Sequence, residues 1–378
     1  MTLPGAPLPR ISSLLRACTA PSFTGEPWFN SRPDSLTRLY WRGRLALAAG
    51  IDAVRQGQWA ASVTVWIPDY FCNEALEPLR RLPVRLKFYP IQEDLTPSWP
   101  WLEEVVSREP GVKVLVLVHY FGFPNAGAEA RIFCDRHQMT LLEDAAHLLR
   151  PHTGIGMGDI LIFSPRKLLA VPAGGILVIR KELEPFLEDS SKYPAARDTF
   201  PWVCLRLAQK LLLLCHLPWH NWRRHSLNGG PSGEPPDSQP PEWWSCDPYT
   251  LKLLTVAETE LNEIVNQRRR NFLRLAAWIH GLAQVRPLFP ISLEEICPYA
   301  FPLLVEGRIA DILSKLQSLG IPASQWPVLP PEVLTAESEH RVAIRTYEHL
   351  MLLPVHQSLS LDQIDLMGQQ LRRALTNT

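Results

Sequence analysis

A carboxylate and a lysine follow two apolar stretches in the middle of the chain. One stretch ends in Asp144, and the next leads through Ser164 to Lys167. The glycine pair Gly174-Gly175 comes shortly afterwards. Side chains at the carboxyl ends of neighbouring parallel strands converge on one crevice, which is where open α/β sheets bind ligands. The spacing therefore predicts that an acid, a hydroxyl and an amine meet at one site.

This combination of groups suits one kind of cofactor. A lysine that forms a Schiff base must lose its proton, which partial burial near other cations favours. Pyridoxal phosphate pairs such a lysine with an acidic residue on its ring nitrogen. Taken alone, Asp144 could be a helix N-cap and Lys167 an exposed lysine at a strand end. Taken together with the glycine turn, they favour a site for pyridoxal phosphate.

The same residues carry a resemblance to a known family. The stretch Glu143–His147, the pair Phe163-Ser164, Lys167 and Gly174-Gly175 resemble the core signature of the DegT/DnrJ/EryC1/StrS family of pyridoxal-phosphate-dependent aminotransferases, which have the aspartate aminotransferase fold (fold type I). Three outer segments resemble that family as well: Val118–Pro124, Cys134–His137 and Leu353–Leu359. The resemblance spans about residues 40 to 375.

The resemblance implies a role for each residue of the motif. Lys167 would form the Schiff base with the cofactor and move the proton at the substrate carbon. Asp144 would pair with the ring nitrogen, and His147 would lie against the ring or its 3-hydroxyl group. Ser164 would donate to the phosphate. No metal site is expected.

Other implied contacts surround this centre. Gly43, Arg44 and Leu45 stand where the family binds the phosphate at a helix start, with Arg44 in place of the usual threonine. Cys72 stands where the family usually has the aromatic residue that stacks on the ring, so Phe71 or Tyr70 would replace it. The family also takes a phosphate contact from an asparagine of the other subunit, for which Asn221 and Asn228 are candidates.

Composition limits the alternatives. The 378 residues carry a formal net charge of zero, which gives no electrostatic case for nucleic acid or an anionic membrane as partner. The seven scattered cysteines indicate a reducing cytosol, so we expect a cytoplasmic protein. The apolar run Lys210–Leu217 is too short to cross a bilayer and predicts a buried helix. The stretch Gly154–Asp159 resembles a dinucleotide fingerprint but lacks its last glycine.

Strands alternate with helices through the first two thirds of the chain. This pattern predicts an α/β fold with a mainly parallel sheet sandwiched by helices and a smaller C-terminal α/β domain. We expect an irregular N-terminal arm (1–34), a large cofactor-binding domain (35–247) with a flexible loop at about 228–243, and a linking helix with the small domain (248–378). Residues 255–282 are predicted to form one long helix, with Arg268, Arg269 and Arg270 on a solvated or ion-paired face.

The leading hypothesis is a homodimeric pyridoxal-phosphate aminotransferase with its active site at the subunit interface. A small-molecule amino donor would supply nitrogen to a carbonyl acceptor, such as a keto sugar or a specialised-metabolite intermediate. The spacing from Ser164 to Lys167 is shorter than in the sugar aminotransferases of the family. Decarboxylation, elimination or C–C bond formation with the same cofactor is the second hypothesis, and a non-catalytic relative is the third.

Overall fold

A computed structural model gives the structure of the chain. It describes residues 2–25, 34–58, 62–109, 111–149, 154–188, 192–195, 198–215, 244–289, 291–307 and 309–376. The predicted loop at 228–243 and the candidate residues Asn221 and Asn228 lie outside these ranges. No helix in the described part of the chain combines the length and the apolar character that crossing a membrane requires.

Seven strands form the central sheet. They are β1 (Ser35–Tyr40), β2 (Val63–Pro68), β3 (Val84–Tyr89), β4 (Val112–Val118), β5 (Thr140–Ala145), β6 (Ile160–Phe163) and β7 (Gly175–Arg180), in the spatial order β1-β7-β6-β5-β4-β2-β3. Neighbours from β3 to β6 pair in parallel, whereas β7 is antiparallel to both β6 and β1. The prediction of a mainly parallel sheet is confirmed.

Helices cover this sheet and continue into the C-terminal part. They are α1 (Ile11–Thr19), α2 (Gly43–Gly57), α3 (Glu77–Arg80), α4 (Trp99–Val106), α5 (Gly127–Arg136), α6 (Thr199–Leu214), α7 (Pro248–Thr259), α8 (Leu261–Ile279), α9 (Ile309–Ser318), α10 (Pro331–Thr335), α11 (Arg341–His349) and α12 (Leu361–Thr376). Short 3-10 turns lie at Asn73–Leu76, Pro165–Lys167 and Lys181–Phe186.

The continuous apolar run of β4 explains its central place. The residues from Val114 to Leu117 are fully buried, as expected for a strand covered on both faces. The helix α2 packs against β7 and β6, and its Gly50 lies close to Ile160 and Leu177. The absence of a side chain at Gly50 lets the helix approach the sheet closely. The first turn of α2 is thereby held near the ends of the strands.

A second sheet forms the C-terminal α/β part of the chain. Its strands are β8 (Val285–Pro287), β9 (Ala300–Val305), β10 (Ser324–Gln325) and β11 (Leu350–Pro354), in the antiparallel order β10-β11-β9-β8. The helix α12 packs against α8 and α9. This sheet lies in the region predicted to form a smaller C-terminal α/β domain. The predicted domain boundaries, 35–247 and 248–378, stay predictions.

Three local predictions are wrong. The segment expected to be an irregular arm contains α1, because Ile11–Thr19 can bury Leu14 and Ala17 on one face. The single helix expected over 255–282 is instead two helices, α7 and α8, separated at Glu260. The helix α6 is not buried: Leu211 and Leu214 are 62% and 71% exposed.

The orientation of α6 is unusual. Its inward side carries the buried polar residues Arg206 and Gln209, which hydrogen-bond to each other at 2.8 Å. Its outward side carries Phe200, 78% exposed, together with exposed leucines. The apolar composition of α6 is visible in the sequence, but the direction in which its apolar side faces depends on what its inward side contacts.

Candidate active site

Lys167 lies in the 3-10 turn that follows β6. Its backbone N–H donates to the carbonyl of Ser164 at 3.0 Å, which turns the chain back toward the strand ends. The side chain is partly buried, and its Nζ lies 3.1 Å from Nε2 of His147. Burial lowers the pKa of Lys167 below its ordinary value, although the charge of Asp144 opposes this shift. The amine is therefore easier to deprotonate than an exposed lysine.

Asp144 lies next to the lysine at the end of β5. It pairs in register with Val118 of β4 and Ile162 of β6, so it lies at the carboxyl ends of the central parallel strands. Its Oδ1 accepts the N–H of Ala146 at 2.9 Å. Burial raises the pKa of Asp144, and the nearby Lys167 partly offsets that effect. A second cationic partner at this carboxylate would stabilise its ionised form.

His147 completes the centre from the turn after β5. Its Nδ1 accepts the backbone N–H of Phe121 at 3.2 Å. The ring of Tyr299 lies parallel to the imidazole, with centroids 4.4 Å apart and planes inclined by 1°. Burial, with the charge of Lys167, lowers the pKa of His147 well below its ordinary value. The ring is therefore neutral at physiological pH.

The helix start predicted to bind phosphate adjoins Ser164. A Cβ placed on Gly43 would lie 3.2 Å from Cβ and 3.4 Å from Oγ of Ser164, so the first residue of α2 touches the buried serine. The N-terminus of a helix attracts anions. The amide of Leu45 already donates to the Arg42 carbonyl at 3.1 Å, and its side chain is in the core. Arg44 lies half-buried in the first turn.

The glycine pair behind the lysine holds this helix start in place. Gly174 donates to the carbonyl of Trp41 at 2.9 Å. A Cβ on Gly175 would lie only 2.2 Å from the Arg42 carbonyl oxygen, so no larger residue fits there. The guanidinium of Arg42 donates to Pro172 O at 2.7 Å and to Asp198 Oδ2 at 3.2 Å. The predicted glycine turn thus serves to anchor the start of α2.

The three candidates for the stacking residue separate in the structure. Phe71 is buried in the hydrophobic core. Tyr70 is fully buried and stacks on Trp326, with centroids 5.1 Å apart. Cys72 is only partly buried, and its thiol interacts electrostatically with Lys167. The buried position of Phe71 gives no support to its predicted role, and of the three candidates it is Cys72 that interacts electrostatically with Lys167.

Sequence reasoning missed the aromatic residues that surround His147 from the C-terminal part. Besides Tyr299, the ring of Trp326 lies edge-on to His147, with centroids 5.6 Å apart. Both residues lie more than 150 positions from His147 in the chain. No local pattern marks them, since aromatic residues near strands are usually part of the core.

A buried pair next to Asp144 was also missed. Glu143 and His119 are fully buried, and Nε2 of His119 lies 2.8 Å from Oε2 of Glu143. The same carboxylate accepts the N–H of Gly156 at 3.0 Å and that of Gly158. Burial opposes ionisation of Glu143, but the hydrogen bonds from His119 and the two amides lower its pKa. The glycine-rich stretch that resembled a dinucleotide fingerprint binds the chain's own carboxylate.

The prediction that Arg268 lies on a solvated or ion-paired face is wrong. It is fully buried in α8 and donates to Leu168 O at 2.8 Å and to Tyr299 O at 3.1 Å. Its Nε donates to Oε1 of Gln357 at 2.9 Å. A single guanidinium therefore joins the backbone next to Lys167 to the backbone of the tyrosine that stacks on His147. Among the described residues, no group of three or more His, Cys, Asp or Glu side chains is arranged to hold a metal ion.

Comparisons with known proteins give one family match and several similar structures. Residues 91–184 match the model of the DegT/DnrJ/EryC1/StrS aminotransferase family. PseC from Helicobacter pylori, an aminotransferase involved in the biosynthesis of pseudoaminic acid, is 15% identical, with a TM-score of 0.70 over 99% of this chain and 98% of that chain. The putative sugar aminotransferase Spr1654 from Streptococcus pneumoniae in its PLP form is 16% identical, with a TM-score of 0.69 over 100% and 99%.

A third similar structure is the aminotransferase TlmJ from Streptoalloteichus hindustanus. It is 18% identical, with a TM-score of 0.65 over 90% of this chain and 86% of that chain. A search of curated protein sequences found no match. The family whose model matches is one of aminotransferases, and one of the similar structures is described in its PLP form. Residues 91–184 are therefore similar to the DegT/DnrJ/EryC1/StrS aminotransferase family, and the chain as a whole has the fold of the similar aminotransferase structures.

Proposed function

We propose that this chain transfers an amino group from a small-molecule donor to a keto sugar or a related carbonyl intermediate of specialised metabolism. The observation that carries the proposal is the meeting of Asp144, His147 and Lys167 at the ends of β5 and β6, inside the segment that matches the family. The sugar as acceptor is supported by Spr1654, described as a putative sugar aminotransferase, and by PseC, described as involved in pseudoaminic acid biosynthesis.

The residues around Lys167 fit both ends of pyridoxal phosphate. Asp144 would face the ring nitrogen, since a protonated ring is the cationic partner that its partly buried carboxylate would bind best. Ser164 and the start of α2 at Gly43 would hold the phosphate, because hydroxyl and amide groups meet there at a helix N-terminus. When bound, the cofactor supplies an electron sink for the substrate carbon.

Lys167 would hold the cofactor and move the proton at the substrate carbon. Both tasks need an unprotonated amine. Burial lowers the pKa of Lys167 and so increases the unprotonated fraction near neutral pH. Arg268 would keep the lysine turn in place, because it binds the carbonyl of the next residue, Leu168.

The proposal is tested by the visible absorption spectrum of the purified protein with added pyridoxal phosphate. We expect a band that borohydride fixes, with the reduced cofactor attached to Lys167 in peptide mass spectra. The band should be absent in Lys167→Ala and present in Lys315→Ala, a lysine of α9. A protein that takes up no cofactor would refute the proposal. A band that stays unchanged with amino donors such as glutamate would instead favour decarboxylation, elimination or C–C bond formation.

A homodimer is the second part of the proposal, with the active site near the subunit interface. The outward face of α6 supports it: Phe200, Cys204, Leu207, Leu211 and Leu214 repeat at intervals of four and three residues and are all exposed. This spacing is the one by which two helices pack side by side. An uncharged apolar stripe is complementary to its own copy, so a twofold pairing of two α6 helices would cover it.

The start of α6 is connected to the cofactor site. Asp198, the residue before α6, accepts from Trp41 Nε1 at 2.9 Å and from Arg42 at 3.2 Å. Arg42 in turn precedes Gly43, the first residue of α2. A second copy bound at α6 would therefore lie next to the elements that hold the phosphate end of the site.

A further inference from the structure

The hydrogen bonds of His147 determine which of its nitrogens carries the proton. Its Nδ1 accepts the backbone N–H of Phe121 at 3.2 Å. A nitrogen that accepts a hydrogen bond has no proton of its own, so the ring cannot be an imidazolium in this arrangement. The single ring proton must then be on Nε2. The atom next to Nε2 is Nζ of Lys167, at 3.1 Å.

Two other buried histidines show the same arrangement. Nδ1 of His119 accepts the N–H of Asn125 at 2.9 Å, and Nδ1 of His356 accepts that of Ser358 at 3.3 Å. Their Nε2 atoms face groups that can only accept: a carboxylate oxygen of Glu143 at 2.8 Å and a backbone carbonyl at 2.9 Å. In both cases Nε2 must be the donor. Among the three, the partner of His147 alone is a group that can either donate or accept.

An ammonium group has three protons and no lone pair, so it cannot accept a hydrogen bond. We propose that His147 is a positioning residue that donates from Nε2 to Nζ of Lys167 and so holds the lysine as a neutral amine whenever it is not bound to the cofactor. The parallel ring of Tyr299 at 4.4 Å holds the imidazole in this orientation, and Arg268 holds Tyr299 through its carbonyl.

The other groups around Lys167 shift the balance between its amine and ammonium forms in opposite directions. Burial and the charge of Arg166 favour the amine, whereas the charge of Asp144 favours the ammonium form. Burial raises the pKa of the Cys72 thiol, so this neighbour is uncharged near neutral pH. His147 itself has Lys167 as its charged neighbour and is stacked by Tyr299. A donor hydrogen bond to the amine adds to burial and opposes Asp144. The lysine released during the reaction would therefore be ready to accept a proton from the substrate.

The inference rests on the proposed function only for the identity of Lys167 as the reacting lysine. It is tested first by ¹⁵N NMR of the full-length protein, labelled at histidine and freed of cofactor. We expect His147, identified by the signal lost in His147→Gln, to have a protonated Nε2 and an unprotonated Nδ1 at neutral pH. A ring protonated at Nδ1, or at both nitrogens, would overturn the proposal.

The second test is the pH dependence of acetylation of Lys167, measured by peptide mass spectrometry. Loss of the donor in His147→Phe should raise the midpoint by about half to one pH unit. His147→Gln, whose amide can still donate, should lie closer to the wild type. His356→Gln changes a histidine with the same burial and hydrogen bonding that does not contact Lys167, and should leave the midpoint unchanged.

An unchanged or lower midpoint in His147→Phe would overturn the proposal, and so would equal midpoints in His147→Phe and His147→Gln. Neither test uses pyridoxal phosphate. A failure here is therefore distinguishable from a failure of the proposed function, which would appear as a protein that does not bind the cofactor.

Discussion

Single residues set the chemistry of this site through burial and hydrogen bonding. Asp144 and Lys167 are close enough to attract each other, yet burial shifts the pKa of each toward its neutral form. Asp144 and Lys167 therefore do not stabilise each other fully as an ion pair. This suits a site that a bound cofactor completes. His147 adds a neutral ring beside the amine rather than a further charge.

Gly175 shows how one residue can decide whether the site forms. A Cβ added at Gly175 would lie only 2.2 Å from the carbonyl oxygen of Arg42. Gly175→Ala should lower the free energy of unfolding by about 3 kcal/mol or more, because backbone atoms cannot move aside as a flexible side chain can. Urea unfolding measures this loss. Gly111→Ala, where an added Cβ meets nothing within 4 Å, should cost less than about 1 kcal/mol. Equal losses in the two variants would contradict the role of close packing at Gly175.

At the scale of elements, the site depends on strand order and on the start of one helix. The strands β4, β5 and β6 are neighbours, so His119, Asp144 and Ser164 come to the same edge of the sheet. The helix α2 brings its N-terminus to that edge because Gly43 can touch Ser164. Asp198 connects the same region to α6, the helix whose apolar side faces outward.

The proposed pairing of α6 helices predicts the effect of a charge on their outward face. Leu211→Glu would place a carboxylate in an apolar contact between two copies, and we expect the dimer to be weakened at least about tenfold. Analytical ultracentrifugation over a range of protein concentrations measures the change. Ile132→Glu, at a residue of α5 with 60% exposure compared with 62% for Leu211, should leave the dimer intact. A dimer unaffected by Leu211→Glu would place the interface elsewhere.

At the scale of the whole molecule, the C-terminal part closes the site that the central sheet begins. Tyr299 precedes β9, and Arg268 of α8 binds its carbonyl together with that of Leu168. The N-terminal segment is held there as well: Nε2 of His356 lies 2.9 Å from the carbonyl of Pro4. The N-terminal segment therefore contacts the segment that follows β11.

The contact between His356 and Pro4 predicts sensitivity to acid. Burial lowers the pKa of His356 from 6.5 to about 3, against the opposing effect of its hydrogen bond to Pro4. The unfolded chain therefore takes up this proton first, so stability decreases as the pH falls from 6.5 toward about 3. At pH 5 the loss from this group is about 2 kcal/mol.

Urea unfolding at pH 7 and pH 5 checks this expectation. His356→Gln should show a smaller decrease in stability between the two pH values than the wild type, because it removes the group that takes up the proton. His280→Gln, at an exposed histidine, should behave like the wild type. A decrease of the same size in His356→Gln would show that other groups cause the acid sensitivity.

The sequence by itself determined the centre of the site. Asp144, Ser164 and Lys167 were predictable because each lies at the end of an apolar strand or in the turn just after it, and parallel strands bring such ends together. The mainly parallel sheet followed from the same alternation of strands and helices. The Gly174-Gly175 turn was also visible, and the structure added the reason for it: the turn lies against the start of α2.

Only the tertiary structure decided what surrounds this centre. Tyr299 and Trp326 come from the C-terminal part, Arg268 is buried rather than solvated, and α6 faces outward. The physical reason is the same in each case. A local pattern reports whether a segment is apolar, charged or periodic, but the partner of each side chain depends on contacts between residues far apart in the chain. The proton position on His147 is such a property, since it is set by the backbone N–H of Phe121 and places the proton next to Lys167.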